Sequence, residues 1–161
     1  MKLSAQIQKG LALSKSKGFT LIELLVVIAV LAVLASGVLV LIDPVDKVNA
    51  ANDSKVQNDI GALGRSSEAF ATRHNGNYPA SIAELVSGGE LKVAPTAPSG
   101  YTYSYVVSPA GCTGGSGATP CTSVVITSNL KAKLYTSTPV QRYETATNKS
   151  CQVATDTTSC P

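Results

Sequence analysis

The residue with the clearest chemical question attached is Glu23. It stands at the head of an apolar run from Leu24 to Ile42 that carries no charge and only Ser36 and Gly37 among its aliphatic and alanine side chains. A carboxylate at the edge of a hydrocarbon-like segment is costly unless a partner answers it, so it is a functional candidate by default. The other candidate groups are the single histidine, His74, and four cysteines, Cys112, Cys121, Cys151 and Cys160. Glycine-rich phosphate loops, a Ser/His/Asp context, paired acids outside an exposed helix and a clustered metal-ligand set are all missing from the sequence pattern. No catalytic residue, cofactor or metal site is therefore assigned, and an enzyme is not expected. His74 falls near a helix end, where a histidine normally complements the C-terminal dipole.

The apolar run sets the first element. Its 19 residues from Leu24 to Ile42 give about 28 Å of helix, close to the thickness of a bilayer's hydrocarbon core. Two plain readings compete for it. One is a secretory signal peptide cut after Ala35, with Val33 and Ala35 at the small-residue positions, and the other is an uncleaved membrane anchor. Neither accounts for Glu23, and the run is longer than a signal peptide's apolar core. Lys2, Lys9, Lys15 and Lys17 precede it with no acid among them. Basic residues beside a membrane segment stay cytoplasmic, so the C-terminal part should lie outside. An extracytoplasmic domain with an even cysteine count reads as disulfide-bonded. Three pairings are open, and the short, equal separations favour Cys112–Cys121 and Cys151–Cys160. The formal charge of +3 belongs to the leader lysines, and the remainder is near neutral, which argues against nucleic-acid binding by bulk charge.

The junction Lys17-Gly18-Phe19-Thr20-Leu21-Ile22-Glu23 resembles the class III leader junction of type IV pilins and of the related pseudopilins of type II secretion and competence systems. The resemblance covers Lys17 to about Pro79. It implies a prepilin peptidase and N-methyltransferase that cuts after Gly18 and methylates the new amine of Phe19. It also implies an inner-membrane assembly platform, residence in the membrane before assembly, and a helical filament built of copies of the chain and other pilins. Glycine before the cut suits a protease that takes the backbone extended and unhindered. In a filament, the Phe19 ammonium and the Glu23 carboxylate of a neighbour could pair in a low-dielectric core, setting register more than adding net stability. The same two groups, four residues apart, could also pair across one turn within a chain.

The expected fold class is α+β. A long helical spine from about Phe19 to His74, its first half for the membrane and its second amphipathic, packs on a small antiparallel sheet of about three or four strands with disulfide-bounded loops. The expected organisation is a cleaved basic leader at 1–18, a transmembrane and assembly helix at 19–42, an amphipathic helix at 43–76 and a β-rich head at 77–161. Asp43-Pro44 should kink or locally break the spine near Val40–Asp43. Val45, Val48, Val56, Ile60, Leu63 and Phe70 form one stripe, with Asp46, Lys47, Asp53, Lys55, Asp59 and Arg65 filling much of the rest. His74-Asn75-Gly76 ends the helix through a left-handed cap. Ser81-Ile82-Ala83-Glu84 is a capping-box start for a short helix closed by Gly88-Gly89. Strands are expected at Tyr101–Val107, Ser123–Ser128, Ala132–Thr136 and Val140–Tyr143, with a mobile Pro109–Pro120 loop and an irregular polar tail from Asn148.

Two filament types fit this pattern. Major type II pseudopilins carry an Asp-rich C-terminal calcium loop, whereas the last 20 residues here hold only Glu144 and Asp156. That leans towards a type IV pilin, while the Asn75-Gly76-Asn77-Tyr78-Pro79 turn resembles the pseudopilins. A membrane-anchored secreted binding domain is the remote alternative.

Overall fold

A computed structural model describes residues 18–115 and 117–161. The leader lysines Lys2, Lys9, Lys15 and Lys17 lie outside the described residues. The described chain divides into two compact units at Ile42/Asp43. The first is a single helix, α1 (Leu21–Ile42), long and apolar enough to cross a membrane. At 22 residues it spans about 33 Å.

The second unit opens with α2 (Pro44–Arg73). The spine is two helices interrupted at one residue, Asp43, within the stretch where a kink or local break is expected. Pro44 disfavours helical backbone in the residue before it and lacks the N–H that would continue the ladder, but it suits the first position of a new helix. Asp43 takes up the change in the left-handed region, φ +44°, and its carboxylate accepts from Asp46 N to cap α2. A short polar side chain tolerates that conformation better than an aliphatic one.

The rest of this unit is α3 (Ile82–Ser87) and four strands, β1 (Tyr103–Ser108), β2 (Ser123–Asn129), β3 (Val140–Glu144) and β4 (Lys149–Val153). They form one antiparallel meander in the order β1-β2-β3-β4. The register sets Tyr105 opposite Ile126 and Ile126 opposite Tyr143, so these side chains share the inner face. Val56, Ile60, Leu63 and Phe70 of α2 bury against that face together with Leu85, Tyr101, Val124 and Leu130. The α+β class with disulfide-bounded loops is borne out.

Several local expectations need correction. Val45 and Val48 do not join the buried stripe and are exposed. Asp53, assigned to the polar side of α2, is fully buried. It accepts from Tyr101 Oη at 2.7 Å, from Lys131 N, and from Ala132 N at 2.7 Å. That explains why Ala132–Thr136 is not a strand. Its leading N–H groups are spent on Asp53 and, at Lys133, on Asp46 at 2.7 Å, so the chain tightens into a 3-10 turn at Lys133–Tyr135. The fourth strand comes from the tail instead: β4 pairs with β3 although its sequence has no apolar alternation. It is an edge strand: Lys149, Ser150 and Gln152 are exposed, Cys151 is half-buried and only Val153 is buried.

Gly64 permits the close approach of α2 and the sheet. A Cβ there would lie 2.5–2.6 Å from the Tyr143 ring. The α2 C-terminus follows the cap read from sequence, with Asn75 at φ +55°, Gly76 at φ +87° and Gly76 N bonded to Ala71 O at 2.8 Å. Ser81 caps α3 by accepting from Glu84 N, while the Glu84 carboxylate accepts from Ala80 N at 2.7 Å.

Candidate assembly site

Gly18 and Phe19 are exposed and lie outside regular secondary structure, ahead of α1. A Cβ added at Gly18 would meet nothing within 4 Å. Thr20 is the N-terminal cap of α1: its Oγ1 accepts from Glu23 N at 3.2 Å, and its carbonyl accepts from Leu24 N. Thr20-x-x-Glu23 thus has capping-box spacing, a signal that was present in the sequence and went unused. Glu23 sits in the first turn, where a negative charge also complements the helix dipole. Phe19 precedes the helix, so the one-turn spacing expected to join Phe19 and Glu23 within a chain does not apply.

Beyond Glu23, every aliphatic residue of α1 from Leu24 to Val38 is exposed, as is Ile42. Ser36 satisfies its hydroxyl locally by donating to Val33 O at 2.8 Å. The element therefore presents an apolar surface with a polar, capped entrance bearing one carboxylate. Residues 13–39 match the family model described as the prokaryotic N-terminal methylation motif. The chain carries the signature of type IV pilins and pseudopilins. No curated protein and no solved structure matches the chain. The family behind this motif is structural rather than enzymatic, and α1 fits a membrane-anchored pilin.

The remaining candidate residues lie in the Asp43–Pro161 unit. Cys112–Cys121 and Cys151–Cys160 are bonded, with Cα separations of 5.2 and 5.8 Å. The first closes the β1–β2 loop, where Cys121 O also accepts from Tyr78 N at 2.8 Å. The second ties β4 to the C-terminus over the outer face of β3. Beneath it Arg142 pairs with Glu144, Cys160 N donates to Glu144 Oε1 at 3.2 Å, and Arg142 donates to Asp156 O. Burial opposes the Glu144 charge, but Arg142 and the Cys160 N–H outweigh it and hold the carboxyl below its ordinary range. His74 caps α2, stacks on Phe70 with ring centroids 3.8 Å apart and places Nδ1 2.9 Å from Phe70 O. It has a structural part at the helix end.

Sequence reasoning missed a set of tyrosine–carboxylate bonds between α2 and the chain packed on it. Tyr101 donates to Asp53, Tyr103 to Asp59 at 2.5 Å and Tyr78 to Glu68 at 2.8 Å. Burial and then the facing carboxylate push all three phenols up, Tyr78 to about 12. The alternation of Tyr101, Tyr103 and Tyr105 showed an aromatic face, yet nothing local tells which acid each hydroxyl meets.

Proposed function

We propose that the chain is a structural subunit of a type IV pilin-like filament, held in the membrane by α1 before assembly. The observation that carries this reading is the methylation motif at 13–39 leading into a helix whose apolar surface finds no cover within its own unit. In this reading the peptidase cuts after Gly18 and methylates Phe19. Exposed, non-helical backbone at the junction suits the cut. The new ammonium then stands immediately ahead of the Thr20 cap, free to meet the Glu23 carboxylate of a neighbouring copy. Charges that pair where water is excluded enforce one register, because a misaligned neighbour leaves both unpaired. The assembly platform and copies of the chain or other pilins are the partners. The leader lysines keep their end cytoplasmic, and the two disulfides agree with a head outside that compartment.

Within the family we favour a pilin over a pseudopilin. The C-terminal loop is closed by Cys151–Cys160, and Glu144 already has partners on both oxygens, Arg142 and the Cys160 N–H on Oε1 and the Thr147 hydroxyl on Oε2, which argues against its serving as a calcium ligand. Loss of surface filaments on deletion would favour the pilin, and loss of protein secretion with filaments intact the pseudopilin. Mass spectrometry of the mature chain tests the processing step: the expected N-terminus is methylated Phe19, and any other start overturns it.

A further inference from the structure

Large apolar side chains left open in the Asp43–Pro161 unit, among the described residues, are Val45, Val48, Val93, Val106 and Leu134. Three of these five belong to one end of the unit. Val45 and Val48 are 68 % and 61 % exposed on the opening turns of α2, and Leu134 is 81 % exposed on the 3-10 turn. The link between them is the set of carboxylates described above. Lys133 pairs with Asp43 through its side chain and donates its N–H to Asp46, while Lys131 N and Ala132 N close on Asp53. Segment 131–134, some ninety residues later in the chain, is thereby clamped to the residues that directly follow Ile42.

Charge at this end is sorted by depth. Asp53 is buried, and Asp43 and Asp46 are half-buried and turned to the clamp, whereas Lys47, Lys131 and Lys133 are exposed. Lys131 lies with its ammonium 4.9 Å from the Tyr101 ring centroid. Cations with aliphatic stems beside exposed Val and Leu are the combination that suits a lipid interface, with ammonium groups at phosphates and apolar groups at the acyl boundary.

We propose that Val45, Lys47, Val48, Lys131, Lys133 and Leu134 form a collar that rests in the headgroup layer of the bilayer while the subunit awaits assembly. The proposal depends on the reading of α1 as a membrane helix. Val45 to Val48 follow Ile42 by only three to six residues, at most about 10 Å of helix. The headgroup layer adds roughly 5–7 Å beyond each face of the hydrocarbon core, so chain continuity alone keeps these residues at or near it. The clamp is what brings Leu134 and two lysines beside the start of α2. The collar would leave the headgroup layer when the subunit leaves the membrane.

The chain contains no tryptophan, so single reporters answer the question in the full processed protein. Val45→Trp, Leu134→Trp, Val106→Trp and Leu31→Trp variants are placed in vesicles of phosphatidylethanolamine and phosphatidylglycerol with lipids brominated near the headgroup end of the acyl chain, or, for the reporter at 31, near its methyl end. The reporters at 134 and 45 are expected to be quenched roughly twofold or more over the one at 106, as interfacial side chains are. Adding Lys47→Glu and Lys131→Glu is expected to reduce the quenching at 134. Emission at 134 and 45 matching that at 106, with the reporter at 31 still quenched, overturns the collar and leaves the membrane helix standing. An unquenched reporter at 31 removes the membrane reading and the collar with it. Blue-shifted but unquenched emission at 134 means that a second copy of the chain covers the patch, which also overturns the proposal.

Discussion

Along α1 the aliphatic side chains lie open from Leu21 to Val38 and again at Ile42, whereas α2 sinks Val56, Ile60, Leu63 and Phe70 into the sheet. Both are regular helices, and the difference is where their partners come from. The Asp43–Pro161 unit contains its own: apolar partners in β1–β3, tyrosine hydroxyls for α2 carboxylates, and two disulfides for its loops. In α1 the backbone is satisfied by helix formation and the Thr20 cap, but its apolar surface must be covered from outside, by lipid or by other copies. Damage to α1 should therefore appear in assembly and damage to the second unit in folding.

Glu23→Ala is the strongest way to probe that division. It should leave leader removal and the unfolding transition of the head unchanged while filaments disappear, as seen by electron microscopy and by mass of the processed chain. Normal filaments would remove the carboxylate from the assembly reading. On the other side, Asp53→Ala strips the buried acceptor of Tyr101 and of the Lys131 and Ala132 N–H groups. Leaving those donors unpaired should cost about 3 kcal/mol in denaturant unfolding, without altering processing after Gly18. Gly64→Ala forces a methyl into the Tyr143 ring and should cost about 1–3 kcal/mol through overpacking. Unchanged stability would mean that α2 and β3 can separate freely.

The smallest effect concerns pH. Tyr78, Tyr101 and Tyr103 have folded pKa values raised above the ordinary 10.0, in Tyr78 to about 12. The folded state thus holds these protons more tightly than the unfolded chain does. Their contribution is fully present below about pH 10 and is lost as pH rises through each folded pKa, about 12 for Tyr78 and higher for the other two. Glu144 has the opposite sign: its lowered pKa adds stability above its ordinary value of 4.5 that falls away in acid. The melting temperature should drop above about pH 10. Tyr103→Phe should flatten that drop, and an unchanged alkaline slope would show that the Tyr103–Asp59 bond does not persist in solution.

Much of the architecture was legible in the chain. The 3.6-residue stripe of Val56, Ile60, Leu63 and Phe70 marked the packed face of α2, and Asn75-Gly76 and Ser81-x-x-Glu84 marked helix ends through chemistry confined to a few residues. The strands at 103–108, 123–129 and 140–144 were visible because they alternate or carry β-branched runs. Reading failed where a distant group took over the backbone. Ala132–Thr136 has strand-like residues, but Asp46 and Asp53 capture its N–H groups. Lys149–Val153 looks irregular, but β3 offers it a free edge. Val45 and Val48 fit the stripe, yet the sheet begins beyond their reach.

By itself the sequence determined the junction at Gly18-Phe19, the carboxylate at Glu23, an apolar helix of membrane length and the interruption at Asp43-Pro44. Each of these is a matter of composition, spacing or local backbone sterics. Only the tertiary structure decided that Asp53 is buried, that Tyr78, Tyr101 and Tyr103 each meet an acid of α2, that Gly64 gives way to Tyr143, and that residues 131–134 return to the start of α2. These depend on which groups exclude water from one another across long stretches of chain. A carboxylate in a solvated helix and one clamped by three donors are written with the same letter.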